Sequence, residues 1–307
     1  MSEETDFSSP DDGARRTYVL KSIEHVAPRP EPGLYLVATP IGNLSDLSLR
    51  ALEVLAGADR LACEDTRVTA KLLQRFSIRT RPVAYHEHNE EGSGEGLIAE
   101  LLAGRSVALV SDAGTPLVSD PGFRLVERAI AAGIPVVPIP GASAPLAALL
   151  ASGLPSDAFF FAGFLSSKAG ARRKRLEELA RVPGTLLFFE SPNRVAESLA
   201  DMNEVLGPRP AAVCRELTKL YETIYRGTLP ALARQFAELE RVRGEIVVCV
   251  GPPAPESVAD ATDTDQILRG LLAEMKPTQA AQEASRLTGL PRRDLYRRAL
   301  ELKTPKP

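Results

Sequence analysis

Residues 111–122 read SDAGTPLVSDPG and directly follow an apolar, β-type run that starts at Val107. Two glycines, two prolines and two aspartates fall within this short stretch, a composition typical of a tight, irregular loop. Its small residues let backbone amides and carbonyls approach a ligand closely, and Asp120 is placed to cap the helix that follows. The stretch therefore predicts a strand, a ligand-binding loop and a helix, although a complex turn without a ligand has the same composition.

Two other segments repeat this order of strand, Pro-Gly turn and helix start. Residues 37–44 read VATPIGNL, and residues 139–144 read IPGASA. Ligands of open α/β sheets bind outside the carboxyl ends of the strands, where such turns lie. The first segment lacks the Gly-x-Gly-x-x-Gly pattern, which disfavours a dinucleotide. The free amides at the helix start of the second suit the polar atoms of an adenosine. Taken alone, each segment is also compatible with a tight turn or close packing.

Short apolar runs alternate with Ala- and Leu-rich helical stretches from residue 33 to residue 251. This alternation predicts an α/β fold with largely parallel strands, and a break near residues 152–157 predicts two α/β domains with a cleft between them. The predicted strands cover residues 34–38, 60–63, 82–85, 107–111, 136–139, 158–162, 185–190, 211–215 and 245–250.

The two ends of the chain differ from this α/β part. Residues 1–32 are acidic at the start, contain scattered prolines and predict a disordered tail. Three prolines fall in residues 252–263 and predict a linker. Three short helices at residues 266–275, 278–288 and 292–303 follow, the last two in helix-turn-helix fashion. The predicted organisation is a tail (1–32), an N-terminal α/β domain (33–152), a C-terminal α/β domain (153–251), the linker (252–263) and a helical unit (264–307).

Charge and cysteine usage narrow the class of protein. The 307 residues carry a net charge of −3, so any contact with a nucleic acid must come from local basic patches. The three cysteines are far apart and form no Cys-x-x-Cys pair, which disfavours a disulfide framework and a zinc site and fits a reducing cytosol. Four prolines interrupt the uncharged residues 134–154, so no membrane segment is predicted. A cytoplasmic protein is expected.

Three such strand-end loops in one half of the chain resemble the tetrapyrrole methylase superfamily. Within it, LVATPIGNL (36–44), EDTR (64–67), SDAGTP (111–116), ESPNR (190–194) and RELTK (215–219) are similar to the branch that methylates small-subunit ribosomal RNA. The resemblance covers residues 33–303. It implies two α/β domains that bind S-adenosyl-L-methionine in the cleft between them, and a homodimer.

By this resemblance the cofactor contacts fall at Pro40, Ala113, Gly114, Thr115, Val118, Ser143, Ala144, Glu190 and Leu217. The chain departs from many tetrapyrrole-modifying relatives at Thr115, where they carry an aspartate. A carboxylate contact to the amino group of the cofactor is therefore missing, which makes a tetrapyrrole substrate less expected, whereas the ribosomal RNA branch shares the threonine.

The implied reaction is methylation of a ribose 2′-hydroxyl of a cytidine in the decoding region of 16S ribosomal RNA, with the assembled small subunit as substrate. Methyl transfer needs an oriented hydroxyl and a group that removes its proton. Glu64, Asp65 and Glu216 follow predicted strand ends and are candidate bases, although charged residues at such places are as often solvated or ion-paired. No metal is expected, because His86 and His88 form a His-x-His pair without a third ligand at a diagnostic spacing.

Basic residues predict where RNA phosphates bind. The expected RNA contacts are Arg67, Lys71, His86, Arg194, Arg215, Lys219, Arg292, Arg293 and Arg297. The last three lie on the second helix of the helix-turn-helix pattern, which favours RNA binding there over a merely solvated face. The 168–175 basic run fits a solvated helix face as well as an RNA contact.

Two other functions compete with this one. A small-molecule methylase of the same superfamily would act on a corrin or porphyrin precursor, and the basic C-terminal helices argue against it. A non-catalytic regulator would read nucleic acid with the helix-turn-helix and sense a metabolite with the α/β part. The several charged residues expected in the cleft exceed what ligand sensing requires.

Overall fold

A computed structural model describes residues 16–86, 89–253, 261–288 and 290–303. Contacts group the chain into two compact units, one that ends at Gly251 and one that begins at Pro252. Within the part described, no helix is both long enough and apolar enough to cross a membrane. The first unit contains two five-stranded sheets, and the second is helical.

The first sheet is fully parallel, with strand order β5-β4-β6-β3-β7. Its strands are β3 (Gly33–Val37), β4 (Arg60–Cys63), β5 (Pro82–Ala84), β6 (Ser106–Val110) and β7 (Val136–Ile139). The helices of this region are α1 (Leu49–Gly57), α2 (Thr66–Arg75), α3 (Glu90–Leu102), α4 (Phe123–Ala131) and α5 (Ala144–Ser152). All five residues of β6 are buried, because both faces of a parallel sheet are covered by helices.

The second sheet has the order β11-β10-β12-β9-β8 and is mostly antiparallel. It comprises β8 (Phe159–Phe164), β9 (Thr185–Glu190), β10 (Pro210–Arg215), β11 (Thr223–Thr228) and β12 (Ile246–Val250), with helices α6 (Ala169–Leu179), α7 (Val195–Leu206) and α8 (Leu229–Ala237). The prediction of largely parallel strands is wrong here, and β11 is an additional strand. The seven-residue link between β10 and β11 is too short for a parallel crossover, so the two strands form a hairpin.

Helix α5 connects the two sheets in the first unit. It follows the last strand of the parallel sheet, yet its buried Ala148 and Leu149 pack with Leu187, Ala212 and Cys249 of the second sheet. Apolar side chains buried in this way are the main favourable contribution to docking the two layers. The carboxyl edge of the parallel sheet is therefore held against the second sheet. The α/β fold class predicted from the sequence is confirmed.

A hairpin precedes the parallel sheet, where the sequence predicts disorder. Strands β1 (Thr17–Leu20) and β2 (Ile23–Val26) pair antiparallel, and Tyr18 is buried in the core that α1 covers. A guanidinium nitrogen of Arg16 lies 2.8 Å from Asp59 Oδ1, and one of Arg29 lies 3.0 Å from the same oxygen. The predicted tail is thus wrong for residues 17–26, and residues 1–15 lie outside the described part.

The described residues of the second unit form a small cluster of three helices. Its helices are α9 (Ala261–Glu274), α10 (Pro277–Thr288) and α11 (Arg292–Lys303), and Leu268, Ala284 and Leu295 are part of its core. Arg298 of α11 binds Asp265 of α9 through two hydrogen bonds of 2.8 and 2.6 Å. Helix α9 begins at Ala261, so its first three residues lie within the predicted linker, of which residues 254–260 are outside the described part.

Candidate active site

A cavity of about 430 Å³ lies where the carboxyl edge of the parallel sheet faces the second sheet. Its volume is within the range of ~300–1,000 Å³ that small-molecule sites occupy. The parallel sheet and α5 contribute Ile41, Asp112, Ala113, Gly114, Thr115, Val118, Ser119, Asp120, Ser143, Ala144 and Pro145. The second sheet and its loops contribute Phe164, Phe189, Glu190, Ser191, Pro192, Cys214, Leu217, Gly244, Glu245, Ile246 and Val247.

The loop of residues 111–122 forms one wall and has an unusual backbone. Gly114, Leu117, Ser119 and Gly122 all have positive φ, at 82°, 70°, 70° and 123°. Side chains such as leucine and serine rarely adopt this conformation, and such strain clusters at ligand and active sites. The loop is held in place because Gly114 exchanges two backbone hydrogen bonds with Thr39, of 2.8 and 3.1 Å.

Gly114 cannot carry a side chain without a shift of its surroundings. A β-carbon there would lie 3.2 Å from Ile41 Cγ2, and its φ of 82° disfavours any other residue. The neighbouring Thr115 hydroxyl donates a hydrogen bond of 3.0 Å to the carbonyl of Ala142. The three loops that the sequence singles out are therefore fastened to one another at the cavity.

Nearly all the expected cofactor contacts lie together on this cavity. Eight of the nine line it: Ala113, Gly114, Thr115, Val118, Ser143, Ala144, Glu190 and Leu217. Pro40 does not, and the next residue, Ile41, lines the cavity in its place. Helix α5 begins with Ala144 at the cavity wall, where the amide of this residue suits a polar acceptor atom of a ligand, whereas the next residue, Pro145, has no N–H.

Glu190 reaches the cavity from the end of β9 and is almost completely buried. Arg194 places a guanidinium nitrogen 3.0 Å from Glu190 Oε1, and the amide of Ser191 donates to the same oxygen at 2.7 Å. The hydroxyl of Ser198 donates to Oε2. Both oxygens are therefore engaged by protein donors, so this carboxylate is suited to holding the loop at residues 190–194 in place.

Asp120 has a role that differs from the one its position in the sequence suggests. Helix α4 is preceded by Gly122 and has no side-chain cap, so the prediction that Asp120 caps this helix is wrong. Asp120 lines the cavity instead. Burial, together with the nearby carboxylates Glu64 and Asp112, raises its pKa to about 6, although a hydrogen bond with the Ser111 hydroxyl opposes the rise. Sequence reasoning missed this residue as a reactive group, and its place between Ser119 and Pro121 in a ligand-binding loop was the available signal.

The expected bases do not line the cavity. Glu64 and Asp65 follow β4, and Asp65 is the N-cap of α2, where it accepts a hydrogen bond from the amide of Arg67 at 2.8 Å. The Arg67 guanidinium also donates to this carboxylate, at 2.7 Å, and these bonds lower the pKa of Asp65 to about 2. Glu64 is half-buried and close enough to Asp120 to raise its pKa. These positions favour structural and electrostatic roles for the two residues.

Glu216, the third expected base, stabilises the loop of residues 216–222 at the cavity rim. Its carboxylate accepts hydrogen bonds from Lys219 Nζ at 2.8 Å and from the amide of Glu245 at 2.9 Å, and both lower its pKa. The backbone of Glu216 has a positive φ of 52°. Its carboxyl group occupies the space next to Gly244, where a β-carbon would collide with it. The side chain thus supports a strained turn beside the cavity residue Leu217.

Several of the expected RNA-binding residues are bound to protein groups. Arg215 donates to the carbonyls of Arg243 and Tyr221, at 3.2 and 3.3 Å, and so holds the 216–222 loop. The other expected RNA-binding residues of the first unit lie in different surroundings. Arg194 pairs with Glu190, Lys219 with Glu216 and Arg67 with Asp65, whereas Lys71 is exposed and His86 is half-buried.

In the helical unit, Arg292 and Arg293 are exposed at the start of α11, and Arg297 pairs with Asp294 at 3.1 Å. His88 lies outside the described residues. Across the described ranges, no group of three or more His, Cys, Asp or Glu side chains is arranged to hold a metal ion.

Comparisons with known proteins agree with this arrangement. Residues 33–233 match the family model of the tetrapyrrole (corrin/porphyrin) methylases, and residues 258–303 match that of the RsmI C-terminal HTH domain. A protein of Mesorhizobium japonicum named ribosomal RNA small subunit methyltransferase I is 62% identical over 89% of this chain and 93% of its own length. A protein of the same name from Xylella fastidiosa (strain Temecula1) is 50% identical over 86% of this chain and 98% of its own length.

The fold is also similar to solved structures. The uroporphyrin-III C-methyl transferase of Thermus thermophilus, solved in complex with S-adenyl homocysteine, covers 71% of this chain and 97% of its own with a TM-score of 0.50 and 24% identity. At this identity the likeness concerns the fold alone. The two family matches and the long, highly identical relatives are stronger, and they show that the chain belongs to the tetrapyrrole methylase family and, within it, to the ribosomal RNA small subunit methyltransferase I group.

Proposed function

We propose that this chain is an S-adenosyl-L-methionine-dependent methyltransferase that methylates the ribose 2′-hydroxyl of a cytidine in 16S ribosomal RNA of the small ribosomal subunit. The observation that carries the proposal is the convergence of three strand-end loops, at residues 37–44, 111–122 and 139–144, on one cavity. Relatives that share this sequence over nearly their whole length are named for methylation of small-subunit ribosomal RNA.

The cavity suits the cofactor in both size and chemistry. Ile41, Leu217 and Val247 offer apolar surface for the flat adenine ring, and the amide of Ala144 at the start of α5 offers a donor for a polar atom. Gly114 and Ala113 let the backbone of the 111–122 loop come close to a ligand. When bound, S-adenosyl-L-methionine supplies an electrophilic methyl group on a sulfonium.

The task of the protein in such a reaction is orientation and proton removal. Methyl transfer to an alcohol is an in-line displacement, so the attacking hydroxyl must be held opposite the bond that breaks. The strained loop of residues 111–122 and the clamped 216–222 loop form rigid walls for this purpose. The acidic side of the cavity, at Asp112 and Asp120, is the place where a proton can be accepted.

The RNA substrate is supported by the helical unit and by basic residues on the first unit. Arg292 and Arg293 are exposed on α11, and Lys71 is exposed on α2. Exposed arginine and lysine side chains bind phosphate groups, which supply most of the affinity for nucleic acids. An assembled subunit rather than free RNA is the expected substrate, and a cytoplasmic location follows from it.

A homodimer is part of the same proposal. Strand β8 is an edge of the second sheet, and its Phe159 and Phe160 are 46% and 38% exposed. Exposed aromatic side chains on an edge strand favour contact with another chain. Sedimentation equilibrium of the full-length protein tests this part, and a mass of one chain at micromolar concentration would contradict it.

The decisive experiment follows labelled methyl groups from S-adenosyl-L-methionine into small ribosomal subunits that lack the modification. Nuclease digestion and mass spectrometry then identify the product nucleotide, and label on one cytidine ribose is the expected result. Label on a corrin or porphyrin precursor in place of RNA would favour the small-molecule methylase. If the chain binds no cofactor at all, the result would favour the nucleic-acid-binding regulator.

A further inference from the structure

We propose that Asp120 is the general base of this methyltransferase and accepts the proton of the attacking hydroxyl during methyl transfer. The inference rests on the proposed function and names the residue that performs its proton-transfer step. It is carried by where Asp120 lies, by what surrounds it and by how the other carboxylates of the cavity are engaged.

Asp120 reaches the cavity because of the backbone that precedes it. Leu117 and Ser119 both have φ of 70°, and these two reversals turn the chain so that Val118, Ser119 and Asp120 all line the cavity. Ser119 also approaches the second sheet, since a β-carbon on Gly163 of β8 would lie 3.5 Å from its Oγ. The carboxylate is therefore presented by a strained segment on the wall that closes the gap between the two sheets.

Among the described residues, four carboxylates line the cavity, and the three other than Asp120 are bound by a backbone amide or a cationic side chain. Glu190 has both oxygens bound by protein donors. Glu245 is 73% exposed and pairs with Lys219 at 3.2 Å. Asp112 is exposed, and its Oδ1 accepts a hydrogen bond from the amide of Asp65 at 3.0 Å.

Asp120 differs from these three because it is half-buried and its surroundings are acidic. Glu64 and Asp112 face it, and the Ser111 hydroxyl is its hydrogen-bond partner. This environment raises the pKa of Asp120 to about 6, whereas Asp65 and Glu216 have lowered pKa values and are poor proton acceptors. A base works best when its pKa is near the working pH, because it is then ionised and still holds a proton well.

The step balances without any further reactant. A lone pair of the hydroxyl oxygen forms the new O–CH₃ bond, and the electrons of the breaking S–CH₃ bond remain on sulfur, which becomes a neutral thioether. The O–H proton passes to a carboxylate oxygen of Asp120, and the electrons of that O–H bond stay on the ether oxygen. The protonated Asp120 then loses its proton to solvent.

The test compares the full-length wild type with Asp120→Asn, with Asp157→Asn as a matched control. Asp157 is exposed and does not line the cavity. Single-turnover methylation of small subunits is measured between pH 5 and 9 with saturating cofactor. We expect the wild-type rate to fall on the acid side of the profile as Asp120 becomes protonated. We expect Asp120→Asn to be slower by about 100-fold or more, without that acid limb.

Two further measurements separate proton acceptance from a structural role. Calorimetry should show that Asp120→Asn changes the cofactor affinity much less than it changes the rate, and added formate should restore part of the rate of Asp120→Ala. In the ligand-free protein, carbon-13 NMR of labelled aspartate should show one carboxyl that titrates near pH 6 in the wild type and is missing in Asp120→Asn.

The outcomes distinguish this inference from the proposed function. Active wild type together with an Asp120→Asn variant of unchanged rate and pH profile would overturn the role of Asp120 and leave the proposed function standing. Carbon-13 spectra in which no aspartate carboxyl titrates near pH 6 would overturn the role of Asp120 as well. A wild type that binds cofactor but methylates no RNA would overturn the proposed function and the inference together.

Discussion

The backbone amide of Asn43 donates a hydrogen bond to the hydroxyl of Thr218, 3.1 Å away, although the two residues belong to loops of different sheets. The side chain of Lys219 covers Gly42 at the same place. This contact joins the first strand-end loop of the parallel sheet to the rim loop of the second sheet. It therefore closes one side of the cavity that Ile41 and Leu217 line.

Replacing Thr218 with valine should loosen this connection. The change removes the hydroxyl acceptor at nearly constant shape, and an ordinary hydrogen bond contributes about 0.5–1.5 kcal/mol. We expect urea unfolding to show a loss at the lower end of that range, because Asn43 is exposed and water replaces the acceptor. Cofactor affinity should fall in parallel. Thr228→Val is the control, since Thr228 is exposed and makes no side-chain cap bond to α8. Equal effects of the two substitutions would contradict the role given to Thr218.

Gly114→Ala should weaken cofactor binding as well as destabilise the fold through backbone strain. Gly104 offers a matched comparison, because its φ of 76° is close to the 82° of Gly114 and a β-carbon on it meets nothing within 4 Å. Both alanine variants should lose about 1–2 kcal/mol of unfolding free energy from the left-handed conformation. Only Gly114→Ala pushes against Ile41 at the cavity wall, so calorimetry should show reduced cofactor affinity for this variant alone. An unchanged cofactor affinity in Gly114→Ala would show that the 111–122 loop does not contact the cofactor.

Asp59 should make the stability of the chain depend on pH in the acid range. Burial favours the neutral form, but hydrogen bonds from Ser106, Arg16 and Arg29 outweigh it and lower the pKa of Asp59 to about 2. A carboxyl whose pKa is lower in the folded state stabilises that state above its unfolded pKa near 4, and the contribution disappears as the pH falls toward 2. The shift corresponds to about 2 kcal/mol.

The variant Asp59→Asn measures this contribution. At pH 7 it should lower the unfolding free energy by about 2 kcal/mol or more, because Arg16 and Arg29 also lose their partner. At pH 2 the difference from the wild type should nearly vanish. Urea unfolding at both pH values, with Asp157→Asn alongside, checks the prediction. If the two proteins differ in unfolding free energy by the same amount at pH 7 and pH 2, the ionised form of Asp59 does not stabilise the fold more than the neutral form.

Removal of the exposed arginines at the start of α11 should weaken RNA binding without changing the stability of the protein. The double variant Arg292→Ala, Arg293→Ala should weaken binding to small subunits and reduce the slope of log K against log salt by about 0.7–0.9 for each lost phosphate contact. Thermal unfolding should be unaffected, because both side chains are exposed. Arg286→Ala on α10 is the control, as this exposed arginine pairs with Glu283. An unchanged salt slope in the double variant would place the RNA contacts elsewhere.

The parallel sheet could be predicted well because its strands are continuous apolar runs that end in loops of glycine and proline. β4, β7 and β9 have the predicted limits, and the other predicted strands differ from the observed ones by one or two residues at an end. The hairpin of residues 17–26 was missed for a physical reason. Its turn residues Lys21 and Ser22 have φ of 50° and 66°, a conformation that asparagine and glycine usually signal.

The site could be predicted as a set of loops but not as a set of side-chain roles. Backbone contacts follow from strand ends, which the sequence pattern reveals, and eight of the nine expected cofactor contacts meet at the cavity. Side-chain roles depend on neighbours that are distant in sequence. The Glu216 carboxylate accepts a hydrogen bond from the amide of Glu245, twenty-nine positions later, and Asp120 is influenced by Glu64, fifty-six positions earlier in the chain. Such long-range pairings are invisible in a single sequence.

The placement of α5 has a consequence for biosynthesis. Ala148 and Leu149 are translated directly after the parallel sheet, yet the strand residues that pack with them extend as far as Cys249 of β12. A nascent chain that has emerged only as far as α5 must therefore expose this apolar surface to solvent, or to a chaperone, until the later strands arrive. Pro145, at the start of the same helix, forms part of the cavity wall. The binding cavity consequently forms late in co-translational folding. Incomplete chains that leave the ribosome before residue 250 is added contain no complete cavity to bind the cofactor.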